Sequence, residues 1–368
     1  MGFNMDILIV GEYSSFSKEL KSGFKALGHK CMIFSWGDGC KEIKQTSDDF
    51  SIKINYNHGK LIRVLSTCWS NLKLNIYVNK LCKLWKANVV IIVNPTFVRR
   101  KFQIWRKALT KKMISKLSYA NARIILAACG TDYFYCIGSS DLRLRNKYLL
   151  NKFTPKIIKQ YKKCMYNVLS IIDIIIPSFY DYAETYRMNI SLVGNKLQKT
   201  IPIPIDETKF KSENVIHDKI VIFLGKMREE KGYKSMNNAV NYIINKYPDK
   251  VIRIPGRWLT IDEYLKEISK ANIVLDQCAD FSYGMNSLYP MAMGKCVLAC
   301  CKPECLKEFG VKESPIIDID DDVDQIVKQL TILVENPSLI IEYGKRCRKY
   351  IEDVHDSKII AEKYIELC

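Results

Sequence analysis

The sequence predicts an α/β protein of two doubly wound, Rossmann-like domains facing a cleft, followed by a helical tail. Three observations carry this expectation. Short, wholly apolar runs alternate with helix-length amphipathic stretches. The alternation breaks once, at a segment with two closely spaced prolines. Beyond residue 322 the strand-like runs stop, and the pattern is helical to Cys368. Runs that are apolar at every position belong to strands covered on both faces, as in parallel sheets.

The first series opens with ILIVG at 7–11, a helical stretch at 17–27 and CMIFS at 31–35. Strand-like runs recur at 89–93 (VVIIV), 123–129 (RIILAAC) and 171–177 (IIDIIIP). The break is LQKTIPIPIDETKF at 197–210, where Pro202 and Pro204 fit neither a central strand nor a helix interior. A second series follows at 219–225, 251–255, 272–277, 296–300 and 315–320. The expected division is therefore 1–198, 199–350 and a tail at 351–368, free to cross back to the first domain. In open α/β sheets ligands bind beyond the carboxyl ends of the strands, so the segments just after strands are the ones to read for function.

Composition narrows the classes. With 368 residues, 48 % hydrophobic and 26 % charged, the chain is neither disordered nor a fibrous repeat. Its longest apolar runs fall well short of the ~20 residues of a membrane-spanning helix. The N-terminus lacks the basic and small-residue pattern of a secretory signal. None of the 14 cysteines forms a C-x-x-C pair, and Cys129, Cys296, Cys300 and Cys301 sit in apolar runs as small hydrophobes. A reduced, cytoplasmic protein is expected. Lysine and arginine number 57 against 39 acids, a net charge of +18, which favours phosphate-bearing substrates, anionic lipid or nucleic acid.

Two segments after strands carry the chemistry. In GKMREEKG (225–232), Lys226 and Lys231 are placed to offset the charge of a diphosphate, with Gly225 at the strand end and Gly232 giving the backbone room. In SYGMNSLYPMAMGKCV (282–297), Gly284 precedes a helix expected to begin near Asn286 or Ser287, with Pro290 in its first turn. The free N–H groups of such a terminus bind anions.

These segments resemble known motifs. GKMREEKG resembles the G-R-x-x-x-E-K-G signature of GT-B glycosyltransferases, especially the retaining family 4. SYGMNSLYPMAMGKCVLA is similar to their F-G-x-x-x-L-E-A-M-A-x-G-x-P-V stretch, and IPIPIDETKF to the interdomain I-P-N-G-V-D-x-x-x-F. IIDIIIPSFYD resembles A-D-x-I-x-x-S-x, and CGTDY (129–133) resembles H-G-S-D-L. The five elements occur in the family's order across 129–299.

The resemblance implies transfer of a sugar from a UDP-, GDP- or other nucleotide donor, held by the second domain, to an acceptor on the first. Lys226 and Lys231 would bind the donor diphosphate and stabilise the leaving group. Gly284, Met285, Asn286 and Ser287 would offer donors to the same phosphates, while Gly256, Arg257 and Trp258 would meet the nucleobase. The family's two glutamates, seven residues apart, are replaced by Phe281 and Tyr289. Tyr289 offers a phenol. Asp280 adjoins the first position, and an alternative places Asp276 and Gln277 in the donor pocket. Asp132 is the acid/base candidate of an inverting reaction, or else a helix cap; a retaining reaction would use the donor phosphate instead. Gly11, Tyr13 and Ser14 are expected on the acceptor side.

GEYSSF is not a dinucleotide fingerprint, so NAD and FAD are not expected, and no ligand-spaced histidines point to a metal. The expected partner is a glycan or lipid-linked glycan acceptor in surface polysaccharide or glycoconjugate synthesis. Residues 99–117 hold eight basic and no acidic residues, with Phe102, Trp105, Leu109, Met113 and Leu117 at helical spacing. That pattern fits a helix lying on the sheet, or one resting peripherally on an anionic membrane. A second basic stretch runs from 143 to 163. No nucleic-acid-binding signature accompanies the charge, so nucleic acid is not expected. The rival readings are a catalytically degenerate partner subunit, prompted by the missing glutamates, and a nucleotide-sugar epimerase of the same architecture.

Overall fold

The computed structural model describes residues 4–36, 38, 41, 43, 49–51, 60–101, 108–138, 153–225 and 228–368. The first domain contains strands β1 (Asp6–Val10), β2 (Lys30–Ser35), β3 (Phe50–Ser51), β4 (Ala87–Val93), β5 (Val98–Arg99), β6 (Leu109–Thr110), β7 (Ser118–Ala128) and β8 (Ile174–Pro177). All but β5 and β6 form one parallel sheet in the order β3-β2-β1-β4-β7-β8. The second domain has a parallel sheet of β9 (Ile220–Leu224), β10 (Val251–Ile254), β11 (Ile273–Leu275), β12 (Cys296–Ala299) and β13 (Ile317–Asp318), ordered β10-β9-β11-β12-β13. Both orders reverse direction beside their first strand, as doubly wound sheets do.

The uniform apolarity of these strands is explained by what covers them. Along β1, Ile7 and Ile9 face one apolar layer and Leu8 and Val10 another. In the second sheet Ile220, Ile222 and Leu224 pack outward, while Phe223 joins the layer of Ile7 and Ile9. That layer is therefore shared by both domains.

One expectation fails in its local detail. Residues 99–117 are not a single helix: β5 and β6 pair in parallel, and the helix Lys111–Leu117 starts only after Thr110, whose hydroxyl accepts the Met113 N–H at 3.2 Å. Phe102 and Trp105 lie outside the described residues, whereas Leu109, Met113 and Leu117 are buried. Of the second basic stretch, 143–152 also lies outside them, and the rest enters the helix Pro155–Leu169.

After β13 come helices Val323–Glu335 and Pro337–Tyr350, a wider turn at Ile351–His355 and helix Ser357–Ile365. The last helix packs on Phe16–Ala26 of the first domain, and Arg123 Nε donates to the Leu367 carbonyl at 3.2 Å. The chain thus crosses between the domains twice. The two crossings meet: Ile205 N–H donates to the His355 carbonyl at 2.8 Å, and Ser357 N–H to that of Ile205 at 2.9 Å.

His355 is wholly buried at this junction. Its Nδ1 lies 2.8 Å from the Ile203 carbonyl, which assigns the proton to Nδ1 and leaves Nε2 to accept from the Tyr283 hydroxyl at 2.8 Å. Tyr283 also meets the Tyr350 hydroxyl at 3.1 Å. Burial pushes the His355 pKa down from 6.5 to about 4. Below pH 6.5 the unfolded chain binds a proton that the folded chain refuses, so stability is lost as pH falls towards 4. The loss attributable to this group is about 3 kcal/mol. Urea unfolding between pH 7 and 4 should show that His355→Gln starts less stable and lacks this part of the acid loss. An unchanged pH slope would contradict the assignment.

Candidate functional site

β9 and β11 are hydrogen-bonded neighbours whose following crossovers depart in opposite directions. A crevice forms at such a point, and the segments after the two strands become its floor. After β9 the chain makes a tight turn at Glu229–Lys231 and reaches Gly232 at φ +77°, where a side chain would collide with the Cys278 sulfur. After β11 comes Asp276. Its Oδ1 lies 2.8 Å from Lys231 Nζ, and its Oδ2 accepts the Ser287 hydroxyl at 3.0 Å. Cys278 N–H donates to the Lys231 carbonyl at 2.9 Å. One buried carboxylate thus ties both segments together.

The helix after β11 runs Met285–Ala292, starting slightly before the expected position. Gly284 caps it without a side chain: the Ser287 N–H donates to the Gly284 carbonyl at 2.9 Å, while the Met285 and Asn286 N–H groups receive no side-chain cap. Pro290 lies well inside this helix rather than in its first turn. A proline there cannot donate to the carbonyl four residues back, that of Asn286. The Tyr264 hydroxyl donates to that carbonyl at 3.0 Å instead, which explains why the proline is tolerated.

A cleft of about 420 Å³ lies between the domains. Among the residues singled out in the sequence, Tyr13, Ser14, Gly225, Lys231, Arg257, Trp258, Gln277, Gly284, Met285, Asn286 and Tyr289 line it. Lys226 lies outside the described residues. Gly11, Asp132, Gly256, Asp280 and Ser287 are not in the wall. Gly256 instead abuts the Gly225 backbone, allowing the loops after β9 and β10 to approach, and Ser287 holds Asp276. The space beside Gly11 is filled by the Phe97 ring, and Asp280 is 4 % exposed.

Two of the candidates have buried partners. Asp132, 1 % exposed, caps the helix Tyr133–Ile137: Oδ1 accepts the Tyr135 N–H at 2.9 Å, and Oδ2 the Tyr186 hydroxyl at 2.7 Å. Burial pushes its pKa up to about 6, and both oxygens are engaged, Oδ1 by the N–H of the wall residue Tyr135. The Tyr289 phenol points across the interface and donates to Glu19 Oε1 at 3.1 Å.

The structure adds wall residues that the sequence reading missed. Asp38 accepts the Ser14 N–H at 2.8 Å and pairs with Lys41 at 2.6 Å. Arg228 lies within the first motif, and Asp181 reaches in from helix Tyr180–Arg187 to accept the Phe281 N–H at 3.1 Å. The last contact brings a first-domain carboxylate beside one of the positions where the family's glutamate is missing. Asp38 and Asp181 each follow the end of a parallel strand, and that position was their available signal. Behind the wall, burial pushes Glu12 up to about 8, while its carboxyl accepts the Ser17 and Lys18 N–H groups. Among the described residues no cluster of three or more His, Cys, Asp or Glu is placed to hold a metal ion.

No family model matches the chain. It resembles solved structures over nearly its full length. These include sucrose-phosphate synthase from Thermosynechococcus elongatus, at 11 % identity over 99 % of this chain and 98 % of that one, with a TM-score of 0.61. An α-glucosyltransferase in complex with UDP and a 13-mer DNA is 11 % identical over 99 % of each chain, TM-score 0.62. Anabaena HepE in complex with UDP and glucose is 9 % identical over 99 % of each, TM-score 0.59. The fold is that of GT-B glycosyltransferases. In sequence, an uncharacterized glycosyltransferase of Haemophilus influenzae is 24 % identical over 197 residues, 42 % of this chain and 56 % of that protein. The chain therefore matches only about half of that relative's length.

Breaking a buried pair by removing one partner typically costs about 3 kcal/mol or more. Lys231→Ala, which takes the cation away from the buried Asp276 carboxylate and leaves the Ser287 hydroxyl on it, is expected to lose roughly that much stability. Asp276→Asn in the same chain should recover at least half. A double-mutant cycle by urea unfolding checks this, and simple additivity would contradict the pairing.

Proposed function

We propose that the chain is a nucleotide-sugar-dependent glycosyltransferase that transfers a sugar to a glycan or lipid-linked glycan acceptor in surface polysaccharide or glycoconjugate synthesis. The observation that carries this reading is the convergence, on Asp276, of the Lys231 ammonium and the uncapped start of helix Met285–Ala292. Together they offer one cation and the Met285 and Asn286 N–H groups to a phosphate. The presence of UDP in two of the structural neighbours supports a uridine donor.

In the reaction the bond from the sugar's anomeric carbon to the β-phosphate oxygen breaks, and a bond to an acceptor hydroxyl oxygen forms. The electron pair of the broken bond stays on the nucleoside diphosphate. Lys231 and the helix N–H groups stabilise that charge more in the transition state than before it, which is where such donors accelerate a reaction most. Arg228 adds a second cation at the cleft edge, and Arg257 and Trp258 border the base. Asp181 takes the donor-sugar side, while Tyr13, Ser14 and Asp38 take the acceptor side. The sealed carboxyl of Asp132 favours retention, in which a donor phosphate oxygen receives the acceptor proton and no protein base is needed. No described helix is long and apolar enough to cross a membrane; peripheral attachment to its cytoplasmic face belongs to the proposal.

Thermal unfolding with UDP, GDP, ADP, CMP and dTDP tests it. Ligand at a hundredfold excess over Kd stabilises by about 2.7 kcal/mol, enough to raise the midpoint by several degrees. UDP should give that rise, and Lys231→Ala, compared with its own ligand-free midpoint, should lose most of it. A folded sample that responds to no nucleotide would overturn the proposal.

A further inference from the structure

From residue 50 to residue 131 the chain has no aspartate or glutamate, yet it contains 16 lysines and arginines. Nearly the whole net charge of +18 therefore arises in one part of the first domain, away from the cations of the donor segments. Within this part, helix Lys60–Leu81 carries two apolar faces. Leu74 and Val78, with Thr67 and Asn71, are buried against the domain. Ile62, Leu65, Trp69, Leu72 and Ile76 recur at steps of three and four residues, and each is more than half exposed. Residues at such steps form one continuous stripe, here turned away from the buried face.

Beside the stripe is a second cavity, of about 720 Å³. Arg99, Arg100, Lys101, Lys111 and Lys112 contribute to its walls, and among the described residues no carboxylate does. Leu72 belongs to both cavity and stripe. Lys73 lies 5.4 Å from the Trp69 ring, placing a further cation at the stripe's border.

We propose that this face is a membrane-docking surface selective for anionic phospholipid. Its two halves match the two layers of a bilayer interface. The aliphatic and indole side chains enter the acyl boundary, and the cationic cavity lies at headgroup depth, where phosphates offset its charge. Charge complementarity separates this occupant from others. A second copy docked through the same face would bring together two copies of a segment with 16 cations and no acid of its own. Nucleic acid would satisfy the cations but leave the apolar stripe in water. The surface uses the helix Lys60–Leu81 and the β5–β6 region, rather than the single amphipathic helix expected at 99–117. It does not depend on the donor-binding reading.

Full-length protein is sedimented with vesicles of phosphatidylcholine, alone or mixed with phosphatidylglycerol, at low and moderate salt. Binding should be roughly tenfold or more stronger to the anionic vesicles and should weaken with salt. Leu65→Ser/Trp69→Ser and Arg100→Gln/Lys101→Gln should each reduce it roughly tenfold. Both variants should keep the far-ultraviolet circular dichroism and the UDP-induced thermal shift of the parent. Four results would overturn the proposal: no vesicle binding by folded protein, equal binding to neutral vesicles, binding indifferent to both variants, or a dimer dissolved by Trp69→Ser without any vesicle binding. Vesicle binding without a UDP shift would leave this proposal standing and remove the donor reading; the reverse would remove this one, with the peripheral attachment, and leave the donor reading standing.

Discussion

A carboxylate held in place from two sides organises the cleft. Asp276 sits where β11 ends, too buried to remain charged without partners, and it finds them in Lys231 from the segment after β9 and Ser287 from the helix after β11. Unpaired charge at such a position is costly, so the geometry of both segments follows from satisfying it. The same contacts hold an ammonium and a helix start side by side. In the proposed function, binding chemistry and local stability share one set of atoms.

The second constraint lies between the domains. They share an apolar layer, and polar contacts cross it at defined points: Tyr289 to Glu19, Phe281 to Asp181, and the crossing strands beside His355. Glu19 is itself met by the Asp206 N–H at 3.0 Å, so the linker, the first helix and helix Met285–Ala292 are joined at one carboxylate. Tyr289 replaces a glutamate of the family pattern, and its phenol serves as an interdomain contact. Asp181 brings a carboxylate back to the neighbourhood from the opposite domain.

Much of the fold was legible because parallel strands buried on both faces read as uninterrupted apolar runs. The register of β1 between β2 and β4, and of β9 between β10 and β11, places those runs side by side. Short elements were not legible. β5 and β6 are two residues each and stabilised by pairing with one another, so helical spacing through Leu109 pointed to a longer helix than exists. At the site, residue types after strand ends were informative, which is why Lys231, Gln277 and Asn286 lie on the wall. Orientation was hidden wherever a distant partner decides it. Asp132 turns to Tyr186, Tyr289 to a carboxylate 270 residues away, and the carbonyl freed by Pro290 to Tyr264. No local pattern encodes such pairings.

In the proposed function, the floor formed after β9 and β11 binds a nucleoside diphosphate. Hydrogen exchange of the backbone amides, followed by mass spectrometry with and without saturating UDP, addresses it directly. Peptides covering 225–232 and 284–289 should exchange more slowly with the nucleotide, because the turn and the uncapped helix start would then have a partner. Bound nucleotide with protection confined to other segments, such as the loops after β1 and β2, would contradict the account.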